Sequence, residues 1–206
     1  MEVNIFQVDA FTTKPFGGNP AGVVTNSKGL KDSDMQKIAN EMNLSETVFI
    51  RQLDDSYFRM RYFTPLCEVD LCGHATIAAI YTLAEKGYIK PIEQGIKKAL
   101  IETKLGDLEI EIEFKNFSPS NIIMEQDTPR SLALLDDLKE LLSIFNISEE
   151  DIGIGKRFIN PEIISTGLPD IILPLKDKGT LDRMEVDHCN LKEYSNRLGV
   201  TGVHAF

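Results

Sequence analysis

The stretch that decides the fold begins at Tyr62-Phe63-Thr64-Pro65, passes Glu68-Val69-Asp70-Leu71-Cys72-Gly73-His74, and continues as Ala75-Thr76-Ile77-Ala78-Ala79-Ile80-Tyr81-Thr82-Leu83-Ala84. The last part is apolar, rich in alanine and free of charge. A helix that is apolar nearly all round is packed on most sides, so the pattern predicts a buried helix over about 73–86. Gly87 stops it. Just ahead of it stand Glu68, Asp70, Cys72 and His74. A helix N-terminus has unpaired N–H groups and a partial positive charge, and therefore holds anions. Reactive side chains beside an anion site point to a small-molecule enzyme that acts on a carboxylate or similar group. The alternative is a capped core helix with no chemistry of its own.

Outward from this helix the chain reads as a mixture of strands and helices. Val3 to Ala10 alternates like a strand, and Phe11 to Pro20, with Pro15, Gly17, Gly18 and Pro20, reads as a loop. Ala21 to Val24 is a short apolar strand. Asp32 or Ser33 can cap a helix through Met35, Ile38, Ala39 and Met42. Thr47 to Ile50 and Tyr57 to Phe63 are strands. Lys98 to Thr103 and Leu108 to Phe114 form a pair with its turn at Gly106-Asp107. A second block starts near Ile122, with Ile122 to Met124 as a strand and Asp136 to Phe145 as a helix. Ser148 to Asp151 opens a helical turn. Ile163 to Thr166 and Ile171 to Leu175 are strands, Val186 to Leu198 is a helix ended by Gly199, and Thr201 to Phe206 begins a strand. The division into blocks is therefore 1–120 and 121–206. Gly18-Asn19-Pro20-Ala21-Gly22-Val23-Val24 also has a faint echo in Thr166-Gly167-Leu168-Pro169-Asp170-Ile171-Ile172. If this is a repeat, a second buried helix belongs beyond Phe206.

Composition limits the partners. The 206 residues are 42% hydrophobic and carry a net charge of −10. There is ample material for a core. An acidic surface repels phosphate backbones and anionic lipids, which argues against nucleic-acid and membrane roles. No run approaches a membrane span, and Met1 to Phe6 reads as a strand rather than a signal peptide. Three cysteines, Cys67, Cys72 and Cys189, make no disulfide framework, which suits reduced thiols and the cytosol.

Three side chains are candidates for chemistry. Glu46, in Asn43-Leu44-Ser45-Glu46-Thr47, stands where the chain enters an apolar strand. A carboxylate there is partly withdrawn from water, as general acid/base work requires, although an exposed loop glutamate reads the same way. His74 on the first helical turn is suited to orienting a substrate or moving a proton, or to a structural role satisfied by backbone. Cys72 stands at a helix start, where a thiol pKa is lowered, and can serve as a thiolate base, but a small buried hydrophobe is the reading slightly preferred. Cys67, Cys72 and His74 fit no common zinc spacing without a distant fourth ligand such as His188 or Cys189, so no metal is expected. Phosphate-loop, dinucleotide and serine-elbow motifs are absent. Lys14, Arg61 and Arg157 are possible anion partners but read as solvated surface charge.

Asp9-Ala10-Phe11-Thr12, Phe16 to Ala21, Leu44 to Phe49, Arg61 to Pro65, Glu68 to Thr76, Ser165-Thr166-Gly167 and Leu198 to Val203, taken in this order, resemble the PhzF family of phenazine-biosynthesis-like proteins. The resemblance implies an α+β, two-lobed fold similar to diaminopimelate epimerase. Each lobe wraps an antiparallel sheet around a central helix, and two helix N-termini face each other across a cleft. It implies an isomerase that moves a proton at carbon without a cofactor, on a small carboxylate substrate. Glu46 corresponds to the proton-shuttling glutamate and His74 to the cleft histidine. Asn19, Pro20, Gly73 and Ala75 correspond to substrate-binding positions, with Gly73 offering its amide. A cysteine stands at the Cys72 position in the epimerase relatives, which keeps a cysteine-dependent epimerase or racemase open. Family members carry a later Asp-Pro-x-Thr-Gly-Ser-like segment, which this sequence lacks. The second lobe is therefore expected to be incomplete and the protein a homodimer or higher oligomer, with an inactive binding or assembly protein as a third reading.

Overall fold

The computed structural model describes residues 3–206. They fall into two compact units, the first ending at Glu125 and the second running from Gln126 to Phe206. The first contains β1 (Ile5–Ala10), β2 (Asn19–Val24), α1 (Asp32–Met42), β3 (Thr47–Asp54), β4 (Tyr57–Phe63), β5 (Glu68–Val69), α2 (Gly73–Glu85), β6 (Gln94–Thr103), β7 (Gly106–Lys115) and β8 (Ser118–Met124). They build one sheet in the order β1-β2-β3-β4-β6-β7-β8, with β5 against β4. The pairing is antiparallel except for β2 with β3 and β4 with β6. Both exceptions follow from the connections. Strands joined by a helical crossover can run parallel, and α1 and α2 are those crossovers. The antiparallel sheet expected for this lobe is therefore mixed at two ladders.

The sheet curls around α2. Ala75, Ala78, Ala79, Ile80 and Leu83 are buried in one cluster with Val23, Val48, Ile50, Phe58, Met60, Ile101, Ile112 and Phe114. Alanines on α2 let the strands come close, and Ile80 and Leu83 fill the space that remains. The strands alternate. Val23, Val48 and Tyr62 face α2, whereas Val24, Phe49 and Phe63 face Met35 and Ala39 of α1 on the other side. Between β1 and β8 the curl stays open as a groove of about 1010 Å³ that exposes Ile77 and Tyr81 of α2.

The second unit contains β9 (Arg130–Leu134), α3 (Lys139–Phe145), a 3₁₀ turn (Glu149–Asp151), β10 (Glu162–Ser165), β11 (Pro169–Leu173), α4 (Lys178–Arg183), α5 (His188–Leu198) and β12 (Val203–Ala205). Its sheet has the order β12-β11-β10-β9. Leu141, Phe145, Ile152, Ile171, Leu173 and Tyr194 form its core.

The faint echo in the sequence corresponds to a repeated topology. β2 pairs antiparallel with β1 and parallel with β3. In the same way β11 pairs antiparallel with β10 and parallel with β12. α1 and α5, which precede β3 and β12, are each 11 residues long and end on a left-handed residue, Asn43 and Gly199. The amide of Gly22 donates to Glu46 O at 3.0 Å, and that of Ile171 donates to Gly202 O at 3.0 Å. Glu46 and Gly202 are thus equivalent positions.

Several element boundaries differ from the sequence reading. Ile122 to Met124 ends β8 and pairs with β7 in the first unit. The β6–β7 turn is at Lys104-Leu105, because Thr103 Oγ1 accepts from Leu105 N at 3.1 Å and donates to Gly106 O at 2.8 Å. The residue preceding α1 is Lys31, whose amide donates to Asp34 Oδ2 at 3.3 Å, so Asp32 lies inside the helix. The third helix starts at Lys139 because Asp137 Oδ1 takes the Lys139 amide at 3.2 Å. β9 and α4 carry no strong apolar period, and the sequence reading names no element at either.

Ile80, fully buried on α2, tests the packing. Ile80→Ala should destabilise the protein by about 2–5 kcal/mol in urea unfolding, and an unchanged midpoint would show that the core does not depend on α2.

Candidate active site

The site is assembled at the start of three elements. The parallel register Gly22↔Thr47 sets the start of β3 beside the second half of β2. Glu46 is the last residue before β3. Close approach here needs a glycine: a Cβ on Gly22 would lie 2.6 Å from Thr47 Oγ1. The turn into β2 needs another. Gly18 has φ +79, and a Cβ there would lie 2.1 Å from Ala10 O. Asn19 and Pro20 follow on β2, paired with Ala10 and Asp9.

The Glu46 side chain meets the first turn of α2. His74 Nε2 is 3.4 Å from Glu46 Oε2. On its other side, His74 Nδ1 is 3.2 Å from Cys72 Sγ. The imidazole is thus held between a carboxylate and a thiol, with His74 and Glu46 side chains only 11% and 20% exposed. Glu46 Oε2 and His74 Nε2 are both buried without a hydrogen-bond partner. Buried polar atoms normally find partners, so two such atoms facing each other mark a place for a proton or a ligand.

The N-terminus of α2 is also open. Asp177 caps α4 and Asp187 caps α5 through their side chains, whereas α2 has no side-chain cap and no acid in its first turn. The amides of His74 and Ala75 are directed at the Cys72 sulfur, and a bound group would share this helix end with it. Gly73 leaves room for one, since an added Cβ would meet only Met124 Cε, at 3.9 Å. Thr76 steadies this turn. Its hydroxyl donates to Cys72 O at 2.8 Å and takes a hydrogen bond from Tyr62 at 2.7 Å.

The lowering of the Cys72 thiol pKa at a helix start is overridden. Burial pushes the thiol up to about 12, and the neighbouring Glu46 carboxylate adds to the shift. The amides of Ala75 and His74 pull the other way but are outweighed. All three cysteines are free.

Other candidates lie elsewhere. Arg61 is fully engaged, donating to Glu68 at 2.7 and 2.9 Å and to Asp32 at 2.7 Å. Lys104 also pairs with Glu68, at 2.9 Å. Together they tie β5, and the loop leading to Cys72, to β4 and α1. Lys14 lines the groove between β1 and β8, which contains none of Glu46, Cys72 or His74. Arg157 closes a backbone bridge with Ile154. The residues that sequence reasoning missed are Tyr62, in an alternating strand, and Thr76, in the apolar helix, where the patterns showed only burial.

The family model described as phenazine biosynthesis-like protein matches residues 8–206. The chain belongs to the PhzC-PhzF family. It is 36% identical over 205 residues to the uncharacterized isomerase YfhB of Bacillus subtilis, covering 100% of this chain and 67% of that protein. It is 35% identical over 209 residues to an uncharacterized isomerase of Clostridium acetobutylicum, covering 98% of this chain and 66% of that one. The crystal structure of a PhzF-family phenazine biosynthesis protein from Bacillus anthracis superposes with TM-score 0.84 at 33% identity, over 100% of this chain and 67% of that one. A hydroxyproline epimerase from Agrobacterium vitis shares the fold alone, at TM-score 0.56 and 11% identity, over 95% of this chain and 57% of that chain. The chain spans about two thirds of the length of the curated relatives it matches. Among the described residues no helix is long and apolar enough to cross a membrane.

The raised thiol gives a direct test. Only a thiolate is alkylated, and a raised pKa leaves little thiolate near neutrality. With iodoacetamide at pH 8, exposed Cys67 and Cys189 should react first and Cys72 last, as followed by peptide mass spectrometry. Fast labelling of Cys72 would show that burial does not control its ionisation.

Proposed function

We propose that this chain provides one side of the active site of an isomerase that moves a proton between carbon atoms of a small carboxylate substrate without a cofactor. Glu46 is the acid/base, and His74 orients it and stabilises its charge. The amides at Gly73 and Ala75 receive the substrate's anionic group, while Asn19 and Pro20 shape the rim. The carrying observation is the buried 3.4 Å approach of His74 Nε2 to Glu46 Oε2 beside an uncapped helix start. Names of relatives support the reaction class, since the matched proteins of Bacillus subtilis and Clostridium acetobutylicum are both called isomerases.

A cysteine-dependent epimerase has less support. A base must give up its proton to act, and a thiol pushed up to about 12 does so poorly near neutrality. The repeat bears on the carboxylate as well. The position equivalent to Glu46 in the second unit is Gly202, so the repeat does not supply a mirrored carboxylate base. A binding or assembly protein without turnover is the remaining reading.

Proton transfer leaves an isotopic record. In D2O, a convertible substrate should gain deuterium at carbon, and Glu46→Gln should slow this by about 10²–10⁴-fold. Exchange at an undiminished rate in the variant would remove Glu46 from the role. Absence of exchange in the parent protein over a panel of small unsaturated hydroxy and amino acids would favour the binding reading.

We also propose that the chain self-associates. β9 and β12 are the outer strands of the second sheet. Leu132 and Leu134 of β9 are 56% and 58% exposed, and open edges with apolar side chains pair readily. Light scattering should give a mass of at least twice the 23.1 kDa of one chain. A single-chain mass at micromolar concentration would refute self-association.

A further inference from the structure

We propose that Glu46, Cys72 and His74 form a zinc site that takes one ion through the Cys72 sulfur, an imidazole nitrogen of His74 and a carboxylate oxygen of Glu46. The fourth position is left to water or to a carboxylate ligand.

Geometry makes the first argument. One ligand atom from each of the three residues lies within 4.8 Å of the others. Zinc bonds of about 2.0–2.3 Å in a tetrahedron place neighbouring ligand atoms roughly 3.3–3.6 Å apart. The His74 Nε2–Glu46 Oε2 separation of 3.4 Å is already of this size, whereas the 3.2 Å contact of Cys72 Sγ is with the other ring nitrogen, Nδ1. One ion takes one nitrogen of the ring, so rotation of the Cys72 or His74 side chain has to bring the sulfur and that nitrogen to the same ion.

The second argument is the unmet need of the site. Glu46 Oε2 and His74 Nε2 are buried with no hydrogen-bond partner. A cation there would satisfy the carboxylate and the ring together. The donor set also selects the ion. A thiolate, an imidazole and a carboxylate match a borderline-soft ion such as zinc, and the sulfur and nitrogen argue against magnesium and calcium. Spacing along the chain argues against this site because Glu46 comes from the start of β3, far from Cys72; the fold supplies the third donor.

Binding is balanced by one proton. The Cys72 S–H bond breaks, the Zn–S bond forms, and the proton passes to solvent. No electron is transferred. An ion held this way occupies the Glu46 carboxylate and a His74 nitrogen, so on the isomerase reading it is an inhibitor and not a cofactor. Binding itself does not depend on that reading.

The test uses cobalt as a coloured probe on the metal-free protein, with zinc as competitor. One equivalent of Co²⁺ should produce a thiolate-to-cobalt charge-transfer band, and Zn²⁺ should remove it. A Cys67→Ser/Cys189→Ser variant keeps Cys72 as its one thiol and alters only exposed positions, so the band should persist there. Cys72→Ser should abolish it. Glu46→Gln should weaken binding by about tenfold or more, since even outer-shell losses cost about 10–100-fold. Loss of the band in the Cys67→Ser/Cys189→Ser variant, or no band in the parent, would overturn the zinc site. A band with no effect of zinc on proton exchange would leave the site standing and count against the isomerase reading.

Discussion

Burial of α2 is the constraint on which the first unit depends. A helix with Ala75, Ala78, Ala79, Ile80 and Leu83 all buried cannot rest on one face of a flat sheet. The sheet has to curl around it, and the strands have to arrive from both sides. That requirement accounts for the long path β1-β2-β3-β4-β6-β7-β8 and for its two parallel ladders, where a helix rather than a tight turn joins neighbouring strands. The sheet leaves two parts of α2 accessible, its N-terminal end, which carries no side-chain cap, and the groove at Ile77 and Tyr81.

The same packing carries Glu46 to that end. Gly22 has no side chain to keep Thr47 away, and its amide bonds to Glu46 O. The glycine-rich motif of the first loop therefore acts twice, through Gly18 at the turn and Gly22 at the ladder. The second unit repeats the ladder with β10, β11 and β12 but ends the equivalent crossover on Gly202. The repeat has kept the backbone hydrogen bond and not the carboxylate. Backbone pairing and side-chain identity have separated at this one position.

Much of this was legible in the sequence, for identifiable reasons. The bounds of α2 and β4 could be read because composition and period agree over many residues. Cys72 and His74 could be placed at a helix start because Gly73 and the alanine run mark it. The turn at Lys104-Leu105 was missed because Thr103 builds it with a side-chain hydroxyl, while Gly106 draws attention to itself. β9 was missed because all five of its residues are exposed and burial patterning is absent. The partnership of Glu46 with His74 was not visible in the residues themselves, since it depends on a parallel ladder between β2 and β3; only family resemblance linked the two.

The thiol shows how two local rules compete. A helix N-terminus favours a thiolate, and that rule alone gives the wrong sign for Cys72. Here the helix is buried, and desolvation acts on the whole thiolate charge, whereas the amides offer only partial charges. The Glu46 carboxylate then adds repulsion from close by. One anion at this site therefore works against a second. The thiol is left protonated, which counts against Cys72 as a base. The same repulsion explains how the three residues suit a dication, which removes the conflict by neutralising both anions at once.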